Sequence, residues 1–334
     1  MTRASAATNS VKIVIPDDIV GTFAESQEMA RLRAAATLEI HATRLADQAD
    51  LARRIGDADI VLSFRPAFTR FTAEVLGACP RLRYVCVAGA GVEDVDVAYA
   101  TTRRIAVGNV PSHGKRAIVE HCLALIFDVA RHVSAQDRAI RSGIWQSRPG
   151  IELAGKTLGI IGLSAIAREL APLAGALGMR VVSWSRNNDP ARAASVGAIA
   201  APLDDVLAQA DILSLHLRLF PELKGFLDGA KIARMKQGAI LINTARGELV
   251  DDAALVAALS SGRLRGAGLD VFAPFPLPSD HPLLALRNVV LTPSTAWNTI
   301  DGTLRNVKRA VDNVLAFIAG DPADIVNAAS LGRA

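Results

Sequence analysis

The sequence predicts an α/β protein built from two open parallel sheets, and three observations carry that reading. Short apolar, β-branched runs alternate with helical stretches along the chain. The 334 residues exceed what one core usually serves, and 51% hydrophobic content supplies enough apolar surface for two. The stretch GKTLGIIGLSAIA at 155–167 reads as a buried strand, a tight turn and a helix start, the opening of a parallel βαβ unit.

In chain order, strand-like runs at 11–15, 38–41, 60–63 and 82–87 are separated by helical stretches at 24–36 and 46–54, which makes a first parallel unit. Its loop AGAGVED at 88–94 carries Gly89, Ala90 and Gly91, whose backbone amides are expected to be free. That loop is either a site for a small anion such as a carboxylate or a plain strand-to-helix turn. VPSHG at 110–114 punctuates the chain and marks a crossing between domains. The following helix, 116–131, is apolar on nearly every face and is expected to lie buried between domains or subunits. A polar connector at 138–149 carries Trp145 and is expected to act as an arm toward a second copy in a homodimer.

The second unit opens with the strand 157–161, a break at Gly162 and a helix over 165–179, followed by a strand at 181–184. The helix N-terminus points free amides at whatever lies over the turn, and a dinucleotide pyrophosphate is the expected occupant. The fingerprint G-x-G-x-x-G/A falls on Gly162, Ser164 and Ala167, with Ala165 and Ile166 between. Ser164 puts a Cβ and a hydroxyl where phosphate should meet bare backbone, an intrusion costing about 1–3 kcal/mol. A hydroxyl donating to phosphate offsets part of that. On this motif alone the turn is either a working cofactor site or a βαβ turn kept for folding. Later strands are expected at 211–215, 238–242, 266–269 and 289–291, and helices at 203–208, 231–235 and 252–259. Leu304, Val307, Val311, Val314, Leu315 and Ile318 then space out an amphipathic helix expected to return to the first domain.

Several function classes are excluded. The net charge is +4 and the pI about 9.2, yet the arginines are scattered among acids, so no nucleic-acid partner is expected. Apolar runs stop short of membrane length and residues 1–10 lack the apolar block of a secretion signal, so the protein is expected to be cytoplasmic and off the membrane. Cys79, Cys86 and Cys122 form no C-x-x-C pair and have no histidine at zinc spacing. They read as core residues in a reducing compartment, with no metal site.

Ligands of an open parallel sheet bind beyond the carboxyl ends of its strands. After the strand 238–242 comes NTARGELVDD, whose Arg246 is placed to grip a carboxylate bidentately and polarise a carbonyl; the plain alternative is a surface ion pair. At the end of 181–184 stands Ser185-Arg186-Asn187, where NAD sites place an acid. With no carboxylate to repel a 2′-phosphate and Arg186 able to pair with one, NADP is expected over NAD. The alternative is a solvated arginine on an empty turn.

GKTLGIIGL, LHL at 215–217, LINTARGELVDDAAL, GLDVF, DHPL at 280–283 and LTPSTAWNT occur in the order and spacing of the D-isomer-specific 2-hydroxyacid dehydrogenase family, which the chain resembles over roughly 60–318. The resemblance implies two Rossmann-like, flavodoxin-like parallel-sheet domains with the nucleotide domain inserted into the substrate domain. Residues 1–112 and 299–334 are expected to form the substrate-binding (catalytic) domain, and 113–298 the dinucleotide-binding one. It also implies an NAD(P)-dependent oxidoreductase acting on a small 2-keto or 2-hydroxy acid. Arg246 resembles the substrate-binding arginine, Asp270 the aspartate beside the nicotinamide, and Gly89 to Gly91 the loop holding the substrate carboxylate. His216, Thr244 and Ala245 line the cofactor cleft in such proteins, His216 through its backbone or its imidazole.

The departures fall on the chemistry. Where relatives carry the acid/base histidine this chain has Ser294, and where they carry its partner glutamate it has Phe275. A serine hydroxyl does not act as an acid at neutral pH unaided, and losing the general acid costs about 100-fold to 10,000-fold in rate. His113 or Lys115, at the domain crossing, is the expected stand-in, the alternative being two solvated hinge residues. Phe275 also makes the pocket more apolar and admits a substrate with a hydrophobic tail. His281 is expected to be structural, and His121 a satisfied interior histidine. The alternative function is a catalytically impaired descendant that binds nucleotide or a small acid as a sensor or interaction module.

Overall fold

The computed structural model describes residues 11–64, 69–111 and 114–332. The chain divides into two compact units, Met1–His113 with Ile300–Ala334, and Gly114–Thr299.

In the first unit β1 (Lys12–Ile15), β2 (Thr37–Ile40), β3 (Ile60–Phe64), β4 (Tyr84–Ala88) and β5 (Ala106–Asn109) form one sheet in the order β2-β1-β3-β4-β5, every pair parallel. Three of its elements are absent from the sequence reading: β5, α3 (Ala73–Ala78) and α4 (Val97–Thr102). The two helices are held by caps rather than by a long apolar stripe, Thr72 accepting from the Val75 amide and Asp96 from the Tyr99 amide. The helix expected over 24–36 is shorter, α1 (Met29–Ala35). The Asp18 carboxylate accepts from the Phe23 and Ala24 amides, which holds the preceding stretch in turns. α2 (Gln48–Ile55) begins at its Asp47 cap.

The closing helix α12 (Ile300–Ile318) belongs to this first unit. Val307, Ala310, Val311 and Val314 share a core with β3 and β4, and Phe317 stacks on Tyr84 with ring centroids 4.4 Å apart. Beyond it Asn327, 5% exposed, finishes the edge strand: its Oδ1 accepts from the Val107 amide at 2.9 Å and its Nδ2 donates to Ile105 O and Thr101 Oγ1.

The second unit carries a seven-stranded parallel sheet in the order β12-β11-β10-β9-β6-β7-β8. Its strands are β6 (Thr157–Ile161), β7 (Arg180–Trp184), β8 (Ile199–Ala200), β9 (Ile212–Leu215), β10 (Ala239–Asn243), β11 (Leu264–Leu269) and β12 (Val289–Leu291). α5 (Lys115–Arg131) is one-sided rather than wrapped all round. Val119, Cys122, Leu125, Ile126 and Val129 pack with α7 (Ala165–Ala176) and the sheet, while Phe127 stays 40% exposed. Its burial is thus supplied inside its own unit. The expected polar connector begins as a helix, α6 (Val133–Arg141), with Trp145 beyond it 89% exposed. α8 (Pro190–Ala194) and β8 were not anticipated; Asp189 caps α8 and Pro190 opens it, a start signal visible in the sequence. α9 (Leu203–Gln209), α10 (Gly229–Arg234) and α11 (Asp252–Ser260) complete the crossovers. β6 lies between β9 and β7, so the strand order turns there, and ligands of such sheets bind at that switch.

Asn327→Ala removes three hydrogen bonds and orphans a buried amide. Urea unfolding should show the first unit destabilised by about 2–3 kcal/mol with an unchanged m-value.

Candidate functional site

The turn from β6 into α7 is built by close backbone approach. Gly162 has φ +94, and a Cβ there would lie 2.9 Å from His216 O and from Leu217 Cδ2, at the end of β9. Only glycine fits both the dihedral and the gap. Ser164 is the N-cap of α7, its Oγ accepting from the Ala167 amide at 3.3 Å with φ −70 and ψ 176. This revises its expected role: the hydroxyl caps the helix, which contributes about 1 kcal/mol, on backbone any residue adopts. Among the described residues no protein acceptor meets the amides of Ala165 and Ile166. Those two donors at a helix N-terminus suit an anion, so the turn fits a dinucleotide pyrophosphate.

Behind the turn His216 is 6% exposed, and its Nε2 lies 2.9 Å from Ser214 Oγ. Burial pushes its pKa down to about 4, so the imidazole is neutral. Along the rim, Ser185 and Arg186 leave β7. The Arg186 guanidinium lies 5.7 Å from the Phe220 ring centroid, and Arg218 lies 5.5 Å from the same ring.

The loop after β10 is clasped by its own first residue. Asn243, 1% exposed, accepts from the Ala245 amide at 3.0 Å and donates to Arg246 O at 2.9 Å. Arg246 is half-buried and one guanidinium nitrogen donates to Ala245 O at 2.8 Å; Thr244 Oγ1 lies 3.1 Å from Cys122 Sγ. A Cβ on Gly247 would sit 2.1 Å from the Phe272 carbonyl carbon, so this loop packs backbone to backbone on the one after β11.

Asp270 follows β11 directly and is 2% exposed. Its carboxylate accepts from Thr292 Oγ1 at 2.6 Å and from the Thr295 and Ala296 amides at 2.9 Å each. These bonds hold the turn carrying Ser294, which takes φ +55, unusual for a residue with a Cβ. His121 Nε2 lies 3.0 Å from Thr292 Oγ1 and 3.6 Å from Asp270 Oδ1 with its side chain 20% exposed. It is therefore hydrogen-bonded but not interior. Its link to Asp270 was not foreseen, since nothing in spacing joins a residue of α5 to one after β11. Phe275 is 49% exposed. Lys115 Nζ pairs with Glu169 on α7 at 2.6 Å, with about a third of each side chain exposed. His113 lies outside the described residues. His281 takes a turn role, its Nδ1 accepting from the Leu283 amide and its Nε2 lying 3.1 Å from Asp252.

In the first unit, the Gly89 amide is not free as expected: it donates to Val87 O at 2.8 Å, while Gly89 O accepts from Val110. Asn109 Nδ2 donates to Ala90 O, and buried Asn306 donates to Ala88 O at 2.9 Å. The Ala90 and Gly91 amides have no protein acceptor among the described residues and are the donors left for an anion.

A family model described as "D-isomer specific 2-hydroxyacid dehydrogenase, NAD binding domain" matches residues 123–296. A hydroxypyruvate reductase of Blautia hydrogenotrophica is 36% identical over 293 residues, covering 85% of this chain and 90% of that protein. A D-3-phosphoglycerate dehydrogenase of Mycobacterium bovis is 40% identical over 277 residues, 82% of this chain but 52% of the longer relative. Among solved structures, an acyclic imino acid reductase in complex with NADPH and D-Arg superposes with TM-score 0.84 at 28% identity, covering 95% of this chain and all of that one.

Two outcomes follow from the geometry. Gly247→Ala forces the loops after β10 and β11 apart, and should destabilise the second unit by about 2–4 kcal/mol in urea unfolding. The folded pKa of His216 lies below its unfolded value near 6.5, so the unfolded chain takes up the proton first as pH falls. Stability from this residue is full above pH 6.5 and falls by about 3 kcal/mol toward pH 4. His216→Gln should flatten that part of the pH dependence in denaturant titrations.

Proposed function

The chain belongs to the D-isomer-specific 2-hydroxyacid dehydrogenase family, and on that premise we propose that it catalyses hydride transfer at carbon 2 of a small 2-oxo or 2-hydroxy acid. The observation that supports this most is the pairing at the ends of β10 and β11. The Asp270 amide donates to Asn243 O at 3.0 Å, tying the turn that presents Arg246 to the strand end that presents Asp270.

The Gly162 turn with the Ala165 and Ile166 amides is proposed to hold the pyrophosphate, with Ser185, Arg186, His216, Thr244 and Ala245 around the rest of the dinucleotide. A bound nicotinamide would supply or accept the hydride. Arg246 neutralises the substrate carboxylate and polarises the carbonyl beside it, which stabilises charge developing on oxygen. In the first unit the 89–91 loop offers the Ala90 and Gly91 amides to an anion. Asp270 fixes the turn carrying Ser294. Lys115, held against Glu169, and His113 remain the proposed sources of the ketone's proton.

Ser294 and Phe275 favour a second reading. A protonated 2-imino acid arrives with the proton that a ketone must be given. Hydride then adds to carbon while the C=N π pair becomes the nitrogen lone pair, and no acid is needed at Ser294. The likeness to an acyclic imino acid reductase supports it. We further infer a preference for NADP over NAD from Ser185-Arg186-Asn187. We also infer a homodimer: Val133, Ile140 and Ile144 are each more than half exposed around α6, beside a groove of about 880 Å³ that a second copy would cover. Three buried free cysteines agree with a cytoplasmic setting, and no helix among the described residues is long and apolar enough to cross a membrane.

The test assays glyoxylate, hydroxypyruvate and a bulkier 2-oxo acid with NADPH and NADH, with and without ammonium. Turnover without ammonium supports the oxo-acid reading, and turnover only with it supports the imino-acid reading. Activity appearing only in the Ser294→His, Phe275→Glu double variant shows the wild-type chain to be a non-catalytic binder. In an active protein Arg246→Gln should lower kcat/KM by about 100-fold or more.

A further inference from the structure

Two guanidiniums meet one phenyl ring at the carboxyl end of the second sheet. Arg186 leaves β7 and Arg218 leaves β9; β6 runs between those strands and carries the Gly162 turn. The topology therefore places one arginine on each side of the anion-binding turn. Both side chains are exposed, and both rest on Phe220, itself 39% exposed.

The arrangement is not one that stability alone explains. Other arginines of the unit meet an acid, as Arg234 meets Asp204 at 2.6 Å and Arg141 meets Asp137 at 2.9 Å, or a neutral acceptor, as Arg180 meets Gln209 and Arg192 meets Leu163 O. Among the described residues neither Arg186 nor Arg218 has a carboxylate within ion-pair distance. Two like charges are gathered on one ring, whose face returns only about 0.5–1 kcal/mol to each cation at an exposed site. A phosphomonoester compensates such a pair. It carries close to two negative charges, and its oxygens accept paired N–H bonds from the flat guanidinium fork.

We propose that Arg186 and Arg218, spaced by Phe220, form a two-armed reader of the 2′-phosphate of an adenine dinucleotide seated on the Gly162 turn. The inference rests on the dehydrogenase reading and adds Arg218 and Phe220 as determinants of cofactor choice. Arg186 alone would bias the site toward the phosphorylated cofactor. The second arginine, from the opposite side of β6, makes the discrimination depend on two independent elements of the sheet.

The test compares affinities of the full-length protein for adenosine 2′,5′-bisphosphate and 5′-AMP by calorimetry, and for NADPH and NADH by nicotinamide fluorescence. The wild type should hold the 2′-phosphorylated member of each pair about 30-fold or more tighter, by an amount that shrinks as salt rises. Arg218→Gln and Arg186→Gln should each cut that ratio about 5-fold to 10-fold, and the double variant should bring it near unity. The urea midpoint of each variant confirms that it is folded. A ratio unchanged in Arg218→Gln, or equal wild-type affinity within each pair, overturns the proposal and leaves the dehydrogenase reading standing. Failure of all four compounds to bind overturns both.

Discussion

A carboxylate sealed from water must find its hydrogen bonds in the protein, and Asp270 finds them in one turn. Thr292, Thr295 and Ala296 all donate to it, so the segment carrying Ser294 takes its shape from a charge at the end of β11. The Asp270 amide in turn reaches the end of β10, where Asn243 shapes the Arg246 turn. The candidate chemistry of the second unit therefore hangs on one buried charge and one buried amide side chain. Neither works through bulk packing.

That arrangement sets the surroundings of Ser294. Ser294 sits in a turn held by three hydrogen bonds to the Asp270 carboxylate, with φ +55. The side chain this framework presents is an alcohol rather than a group that ionises near neutral pH.

The large features were legible in the sequence because they rest on local signals. The run Thr157–Ile161, the break at Gly162 and the helix behind it follow from β-branched residues, a glycine at positive φ and helical spacing. Arg246 stands out by its place after an apolar strand, and Asp270 by the resemblance of GLDVF to the family's motif. What escaped depends on partners distant in the chain. β5 is four residues, AVGN, paired to β4 on one side and finished by Asn327 on the other. α3 and α4 are too short for periodicity and rest on Thr72 and Asp96. The fingerprint position of Ser164 predicts an intrusion partly offset by its hydroxyl, and its capping of α7 is geometry that the fingerprint does not encode. His121 was assigned to the interior because α5 is apolar in composition, whereas the fold turns that one side chain toward Thr292.

The first unit is assembled from both ends of the chain. Val307, Val311 and Val314 complete a core begun by Ile13, Ile60 and Tyr84, and the whole second unit lies between them in sequence. During vectorial synthesis the amino-terminal sheet emerges first, yet it waits for the last helix before its apolar face is covered. The inserted unit, contiguous in sequence, is free to close beforehand. A nascent chain halted before α12 thus leaves Tyr84 and its neighbours uncovered, and the emergence of α12 becomes the event that seals the first core.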